Sequence, residues 1–165
     1  MGILLTLNRI EKDSVKKLIE KIENSEEDII LHIHSGGGSV AWAQRLFEAI
    51  RNSKYPVTGV VSGTAESAAV YVLQACETRI ATFHSAIRFH SVTVNKEYFL
   101  INEKLLKTAE RQETEMARSI AERSKIGFHK VINLMRKNKR FFAPEALKYG
   151  LIDKIVEKAS KVEAA

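Results

Sequence analysis

Cysteine and proline are scarce in this chain of 165 residues, which contains one cysteine and two prolines. A lone Cys76 cannot form an internal disulfide, and it lies in an apolar, helix-like segment. We therefore interpret Cys76 as a buried structural thiol rather than a reactive one. The chain has no Pro/Ser-rich linker, internal repeat or low-complexity tract, so we expect one domain over residues 1–165, with a frayed tail at 157–165.

Long hydrophobic runs are absent as well. No stretch approaches the ~20 apolar residues that a membrane-spanning helix needs. Residues 1–7 are too short to form a secretory signal peptide. These absences argue against a membrane partner and against export, so a cytoplasmic protein is the default expectation.

Charge of one sign does not dominate any long segment. The net charge is +6, but basic and acidic residues alternate in segments such as 102–125, which is typical of the solvated face of a helix. Only residues 136–140 form a concentrated basic patch. We therefore predict no nucleic-acid partner.

Patterns that bind metals or nucleotides are missing too. The five histidines do not pair with carboxylates at metal-ligand spacings, and His32 and His34 have no other obvious ligand nearby. The glycine run at 36–38 resembles a phosphate loop, but no Lys-Ser or Lys-Thr follows at the required spacing. We predict neither a metal nor a cofactor.

The sequence does contain a regular alternation of strand-like and helix-like segments. β-branched runs such as 29–33 alternate with amphipathic stretches such as 40–52, which favours parallel strands joined by crossover helices. We expect an α/β fold in which one strand opens at Pro56 and closes at Gly63, and in which a long charged helix spans about 97–125. The other expected elements are strands at 3–7, 80–83, 86–94 and 151–156, and helices at 13–23, 67–76, 131–135 and 144–150.

Ser67 stands where a strand-like run gives way to an Ala-rich helix. A serine hydroxyl becomes a good nucleophile only when a nearby base takes its proton, and His90 follows in a later apolar run. The N–H group of Ala68 at the helix start favours developing negative charge, and the turn at 36–38 supplies a second set of donors. This arrangement requires the two strand-to-helix turns to lie side by side, as neighbouring parallel strands would place them.

Simpler interpretations of the same residues stay open. Ser67 taken alone fits an ordinary helix N-cap, and glycine-rich turns are common after strands. A lone histidine such as His90 is more often a satisfied or exposed residue than a chemical group. Residue chemistry alone therefore leaves the nucleophile and base as candidates.

Four motifs, in this order, resemble the proteolytic subunit of the Clp protease, within the wider Clp/crotonase superfamily. HSGGGSV (34–40) is similar to the family's Ser-Pro-Gly-Gly-Ser-Val turn, with Gly36 in place of the proline. SGTAESAA (62–69) is similar to its Gly-x-Ala-x-Ser-x-Gly/Ala nucleophile segment, and AIRFH (86–90) matches the strand that ends in the base. FAPEALKYGLIDKIV (142–156) is similar to its Ser-Ala-x-Glu-Ala-x-x-Tyr-Gly-Leu-Ile-Asp-x-Ile ending.

The resemblance implies a Clp/crotonase-like β/α superhelical core with a long helix after the strand that bears the base. It implies that Ser67 attacks a peptide carbonyl, that His90 accepts and returns the proton, and that the N–H groups of Gly38 and Ala68 hold the oxyanion. It also implies a peptide or unfolded-protein substrate, a homo-oligomeric ring of seven subunits or two stacked rings, and an ATP-driven unfoldase as partner.

The sequence departs from the family pattern at three places. Asn138 stands where the family has the third triad residue, an aspartate, and an amide keeps an orienting hydrogen bond but lacks the charge. Residues 91–98 lack the Gln-Pro and glycine-rich stretch that joins the rings. Ile30 and His32 replace the tyrosines of the unfoldase-docking pocket, which weakens the expectation of that partner.

Three functions are compatible with these observations. The leading prediction is a Clp-type serine peptidase of weak or specialised activity. The main alternative is a non-catalytic member that co-assembles with an active peptidase subunit, and it is motivated by Asn138. A third alternative is a crotonase-like acyl-CoA binder, since that branch of the superfamily shares the oxyanion-binding turns.

Overall fold

The computed structural model of the chain describes residues 2–92 and 103–162. Within these ranges strands and helices alternate along the sequence, as expected for an α/β protein. The strands are β1 Ile3–Leu7, β2 Ile29–Ser35, β3 Val57–Glu66, β4 Thr78–Thr82, β5 Ala86–Arg88, β6 Arg140–Phe142 and β7 Lys154–Val156. The helices are α1 Lys12–Glu23, α2 Val40–Arg51, α3 Ala68–Ala75, α4 Glu103–Glu122, α5 Phe128–Arg136, α6 Ala143–Lys148 and a 3-10 helix at Ala159–Lys161.

The described strands form one sheet that is almost entirely parallel. β1, β2, β3, β4 and β7 lie side by side in that order, and each neighbouring pair is parallel. β5 lies parallel to the second half of β3, and β6 is antiparallel to β5. The predicted α/β fold with parallel pairing is therefore confirmed. No pattern in the sequence predicts β6, because a strand of three residues is too short to show a period.

The sequence pattern predicts that the third strand ends at Gly63, and this prediction is wrong. β3 continues through Gly63 to Glu66. The φ angle of Gly63 is +106°, and a Cβ atom at this position would lie 2.2 Å from Nδ1 of His34. Only glycine fits here, because the His34 ring packs over its backbone. The first half of β3 pairs with β4 and the second half pairs with β5. The glycine therefore marks a change of partner and not the end of the strand.

The core lies on both faces of the sheet. β2 contributes Leu31 and Ile33 to the main cluster, which the helices cover, and Ile30 to a smaller cluster with Val60 and Ile80. Burial on both faces explains why the β2 sequence is almost continuously apolar.

The C-terminal segment packs onto the smaller cluster. Ala159 and Val162 contact the cluster formed by Ile30, Val60 and Ile80. The frayed tail expected at 157–165 stays a prediction, and residues 163–165 lie outside the described residues.

Several element boundaries differ from the sequence pattern. The strand expected at 86–94 contains β5, and residues 93–94 lie outside the described residues. The long helix expected at 97–125 contains α4, and the part before residue 103 lies outside the described residues. α5 begins at Phe128, ahead of its expected start, and β7 begins only at Lys154.

A buried arginine fastens the C-terminal segment to the sheet. Arg79 of β4 is 5% exposed, and its Nη2 donates to Oδ1 of Asp153 at 2.5 Å. Oδ2 of Asp153 accepts from Arg79 Nε at 3.0 Å and from the Arg79 backbone N–H at 2.8 Å. Nη1 of Arg79 also donates to Gln74 Oε1 and to the Gly150 carbonyl. Asp153 is therefore a structural residue.

Candidate active site

Ser67 lies between the end of β3 and the first residue of α3. Its backbone N–H donates to the carbonyl of Arg88 in β5 at 2.8 Å. Its φ and ψ angles are 54° and −124°, a conformation that non-glycine residues rarely adopt and that costs about 1–3 kcal/mol. The side chain does not cap α3, although Ser67 occupies the N-cap position. The simple N-cap interpretation therefore does not account for this serine.

The glycine-rich turn after β2 packs directly against Ser67. A Cβ atom on Gly37 would lie 2.9 Å from Cβ of Ser67 and 3.3 Å from the backbone nitrogen of Ala68. Gly37 has a φ of +97° and Gly38 a φ of +143°, so both use backbone angles that glycine alone adopts readily. The two strand-to-helix turns thus lie side by side, as the sequence predicts.

Two backbone N–H groups beside Ser67 have no acceptor among residues 2–92 and 103–162. They belong to Gly38 and Ala68, the two residues proposed from the sequence to hold an oxyanion. The N–H of the neighbouring Gly37 does have an acceptor, since it donates to Oγ of Ser35 at 3.1 Å. Within the turn, the Gly37 N–H therefore stabilises the turn itself, whereas the Gly38 N–H has no acceptor among the described residues.

His90 follows β5 and is half-buried. The N–H of Phe89 donates to the carbonyl of Lys139 at 3.3 Å, so the pairing between β5 and β6 extends beyond Arg88. Nδ1 of His90 lies 2.7 Å from the backbone carbonyl oxygen of Ser91. A carbonyl only accepts hydrogen bonds, so Nδ1 carries the proton and Nε2 is left as the basic nitrogen.

Asn138 lies in the turn between α5 and β6. Its φ is 54°, in the left-handed region that asparagine tolerates better than most residues, and its N–H donates to the Met135 carbonyl at 2.9 Å. The Asn138 side chain is exposed and forms no hydrogen bond with any residue that the structure describes. Asn138 directly precedes Lys139, whose carbonyl accepts from the N–H of Phe89, the residue before His90.

The topology brings the three predicted side chains to neighbouring strand ends. Ser67 follows β3, His90 follows β5 and Asn138 precedes β6, and these strands are adjacent in the sheet. In the described part of the chain no hydrogen bond joins the Ser67 hydroxyl, the His90 ring and the Asn138 amide to one another. In free enzymes catalytic hydrogen bonds are often long and tighten only when substrate binds.

A charged cluster beside these residues is not predicted by the sequence pattern. Oε2 of Glu66 accepts from Nε of Arg88 at 3.0 Å, and Oε1 accepts from Nη2 of Arg140 at 3.3 Å. Glu66 is mostly buried and therefore cross-links β3, β5 and β6 one residue before Ser67. The only sequence signal for this cluster is the alternation that puts Arg88 and His90 on one face of the strand.

Other potential reactive groups lie away from these strand ends. Cys76 is buried, as predicted, and burial raises the pKa of its thiol to about 12, so it remains protonated. Among the described residues no group of three or more His, Cys, Asp or Glu side chains is placed to hold a metal ion. No described helix is both long enough and apolar enough to cross a bilayer.

A comparison with known protein families shows to which family the chain belongs. Residues 4–159 match the family model described as Clp protease. The chain belongs to the Clp protease family. Its α/β structure with a mostly parallel sheet is consistent with the Clp fold, and membership supports a Clp-type peptidase, a hydrolase of peptide bonds.

Curated members of the Clp protease family are similar to the chain over most of its length. ATP-dependent Clp protease proteolytic subunit 2 of Cutibacterium acnes is 30% identical over 151 residues, which cover 88% of this chain and 70% of that protein. The subunit 2 of Rhodococcus jostii is 26% identical over 171 residues, with 96% and 86% covered. Proteolytic subunit 3 of a Synechococcus species is 28% identical over 138 residues, with 81% and 69% covered.

Proposed function

We propose that the chain is a Clp-type serine peptidase in which Ser67 is the nucleophile and His90 is the general base. Nε2 of His90 takes the hydroxyl proton as Oγ of Ser67 attacks a peptide carbonyl carbon, and it then gives that proton to the leaving amine. Water hydrolyses the acyl-serine by the same proton path. The observation that carries this proposal is the positive φ of Ser67 against the Gly37 backbone.

The N–H groups of Gly38 and Ala68 are our candidates for the oxyanion hole. An oxyanion is stabilised by two donors at about 2.7–3.1 Å from the charged oxygen. Both N–H groups flank the Ser67 turn and have no acceptor among the described residues. We assign them to the oxygen that becomes negative when Ser67 attacks.

Asn138 takes the third position of the triad in this proposal. Its amide carries no charge, and loss of the aspartate charge costs on the order of ten-thousandfold in rate in other serine peptidases. We therefore propose weak or specialised cleavage of a peptide or unfolded protein.

Assembly into a homo-oligomeric ring of seven subunits, single or stacked, is part of the proposal. The curated relatives are named as proteolytic subunits, which supports an assembled form. Docking by an ATP-driven unfoldase has weaker support, because Ile30 and His32 stand where the family has tyrosines. We also propose a cytoplasmic location.

A second candidate function is a non-catalytic subunit that assembles with an active peptidase. The exposed Asn138 side chain, which has no hydrogen bond to a described residue, favours this alternative. Mass measurement of rings formed after co-expression with an active Clp peptidase subunit discriminates between the two. Mixed rings without turnover support the non-catalytic role, and strictly solitary assemblies contradict it.

Peptide hydrolysis tests the leading proposal directly. We expect the chain to cleave a fluorogenic peptide or unfolded casein slowly, and we expect Ser67→Ala to reduce that cleavage to background. Ser62→Ala is the matched control, because Ser62 lies in β3 shortly before Ser67 and its hydroxyl forms no hydrogen bond with a described residue, whereas its backbone carbonyl accepts from His34. Cleavage that survives in Ser67→Ala would overturn the assignment of the nucleophile.

A further inference from the structure

Among the described residues, the group that orients the His90 ring is a peptide group and not an acidic side chain. Nδ1 of His90 donates to the Ser91 carbonyl oxygen at 2.7 Å, whereas the Asn138 side chain forms no hydrogen bond with a described residue. The group that orients His90 is therefore not the residue at position 138, where the family has the triad aspartate.

The same peptide group is held at its other end by a carboxylate. The N–H of Val92 donates to Oε2 of Glu113 at 2.9 Å. The Ser91 carbonyl and the Val92 N–H belong to one peptide unit, so a continuous chain of hydrogen bonds runs from Glu113 through this peptide to His90. The preceding peptide, between His90 and Ser91, is also held, because the Ser91 N–H donates to the Met135 carbonyl at 3.2 Å.

Glu113 is well placed to be a fixed end of this chain. It is half-buried on α4, whose following turn packs Met116 and Ala117 into the main core. The two neighbouring acidic residues of this helix have other surroundings. The Glu115 carboxylate accepts a hydrogen bond from Gln44, and the Glu110 side chain is exposed to solvent. Among the described residues, Glu113 is thus the α4 carboxylate that contacts residues 91–92.

We propose that Glu113 is a positioning residue that acts on His90 through the 91–92 peptide and partly replaces the triad aspartate. This inference rests on the proposed function. A carboxylate at the N–H end polarises the peptide, so its carbonyl oxygen becomes a stronger acceptor for Nδ1–H of His90. When Nε2 takes the proton of Ser67, the Ser67 O–H bond breaks and the imidazolium forms. Nδ1 keeps its proton.

The first test removes the charge and keeps the shape. We expect Glu113→Gln to slow the labelling of Ser67 by a fluorophosphonate about 10–100-fold, by analogy with the loss of a hydrogen-bond partner from a metal-bound histidine. Glu110→Gln is the matched control, since its side chain is on the same helix and exposed, and it leaves the rate unchanged. A rate for Glu113→Gln within twofold of the unmodified protein overturns the proposal.

A spectroscopic readout separates positioning from general stability. In protein labelled with ¹⁵N-histidine, with His90 assigned by His90→Gln, we expect the Nδ1–H tautomer in the unmodified chain and a mixture of tautomers in Glu113→Gln. The Nε2–H tautomer in the unmodified chain contradicts the proposal. This readout needs no turnover, so absence of Ser67 labelling in every variant would refute the peptidase function alone.

A double-mutant cycle tests whether Glu113 and residue 138 share one role. We expect Asn138→Asp to raise the labelling rate more in the Glu113→Gln background than in the unmodified protein, because an aspartate at 138 then supplies the missing charge. Equal gains in both backgrounds show independent action and overturn the proposal. If Glu113→Gln fails to fold, judged by circular dichroism, Glu113→Asp replaces it in the cycle and is expected to keep part of the rate.

Discussion

At the scale of single residues, the geometry at Ser67 is governed by a close backbone contact. Gly37 leaves no room for a side chain, because a Cβ atom there would lie 2.9 Å from the Glu66 carbonyl oxygen and 2.9 Å from Cβ of Ser67. Ser67 itself adopts a positive φ, which persists only when the surrounding structure enforces it. The close packing of the turn at 36–38 against the turn at 67–68 therefore restricts the backbone conformation of both.

This contact predicts opposite outcomes for two neighbouring glycines. Gly37→Ala is expected to destabilise the fold by about 2 kcal/mol and to abolish labelling of Ser67, because both space and backbone angle exclude a side chain. Gly36→Ala is the control, since a Cβ atom at Gly36 has no neighbour within 4 Å. Denaturant unfolding and fluorophosphonate labelling measure the two effects. Equal unfolding free energies and equal labelling of Ser67 in the two variants would show that Gly37 is not in close steric contact with the Ser67 turn.

At the scale of secondary-structure elements, three strand ends carry the candidate site. β3, β5 and β6 are adjacent, and the Glu66 carboxylate joins Arg88 of β5 to Arg140 of β6. The Glu66 carboxylate is mostly buried, although the Arg140 side chain is exposed, and a carboxylate bonded through both oxygens holds its partners more firmly than a fully exposed pair. The cluster therefore fixes the strand ends from which Ser67 and His90 project.

The pairing of Arg79 with Asp153 predicts a dependence of stability on pH. Burial opposes ionisation of Asp153, but the hydrogen bonds from Arg79 outweigh it and lower the pKa of that carboxyl below its ordinary value of 3.8. A carboxyl with a lowered folded pKa stabilises the fold above its unfolded pKa, and this contribution is lost as pH falls through the folded pKa.

We expect Asp153→Asn to lower the free energy of unfolding by about 2 kcal/mol at neutral pH, a value that allows for the partial exposure of Asp153. We also expect the loss of stability as pH falls below the ordinary carboxyl range, about pH 4, to be shallower in Asp153→Asn. Urea unfolding over this pH range measures both effects, with the exposed Asp13→Asn as the control. An identical pH dependence in Asp153→Asn and the unmodified chain would contradict the role given to this ion pair.

At the scale of the whole molecule, local patterns predict much of the architecture. The β-branched runs and glycine turns are short-range signals, and they predict the parallel α/β fold and the contact between the turns at 36–38 and 67–68. The four family motifs extend the prediction to a Clp-type peptidase, and the family match supports this.

Features that depend on distant pairing are not predicted from the sequence. The continuation of β3 past Gly63 depends on its packing with His34, and the Glu66–Arg140 contact joins residues 74 positions apart. The Glu113 contact with Val92 joins residues 21 positions apart on different elements. No local pattern encodes such contacts, because they exist only after the chain has folded.

In the proposed function the two turns make Ser67 a nucleophile. Labelling with a fluorophosphonate probe, followed by mass spectrometry of the proteolytic fragments, measures this property of Ser67. We predict one phosphonyl group on the fragment that contains Ser67, and no label in Ser67→Ala. Absence of label under all conditions, or a label mapped to another serine while Ser67 stays unmodified, would contradict the claim.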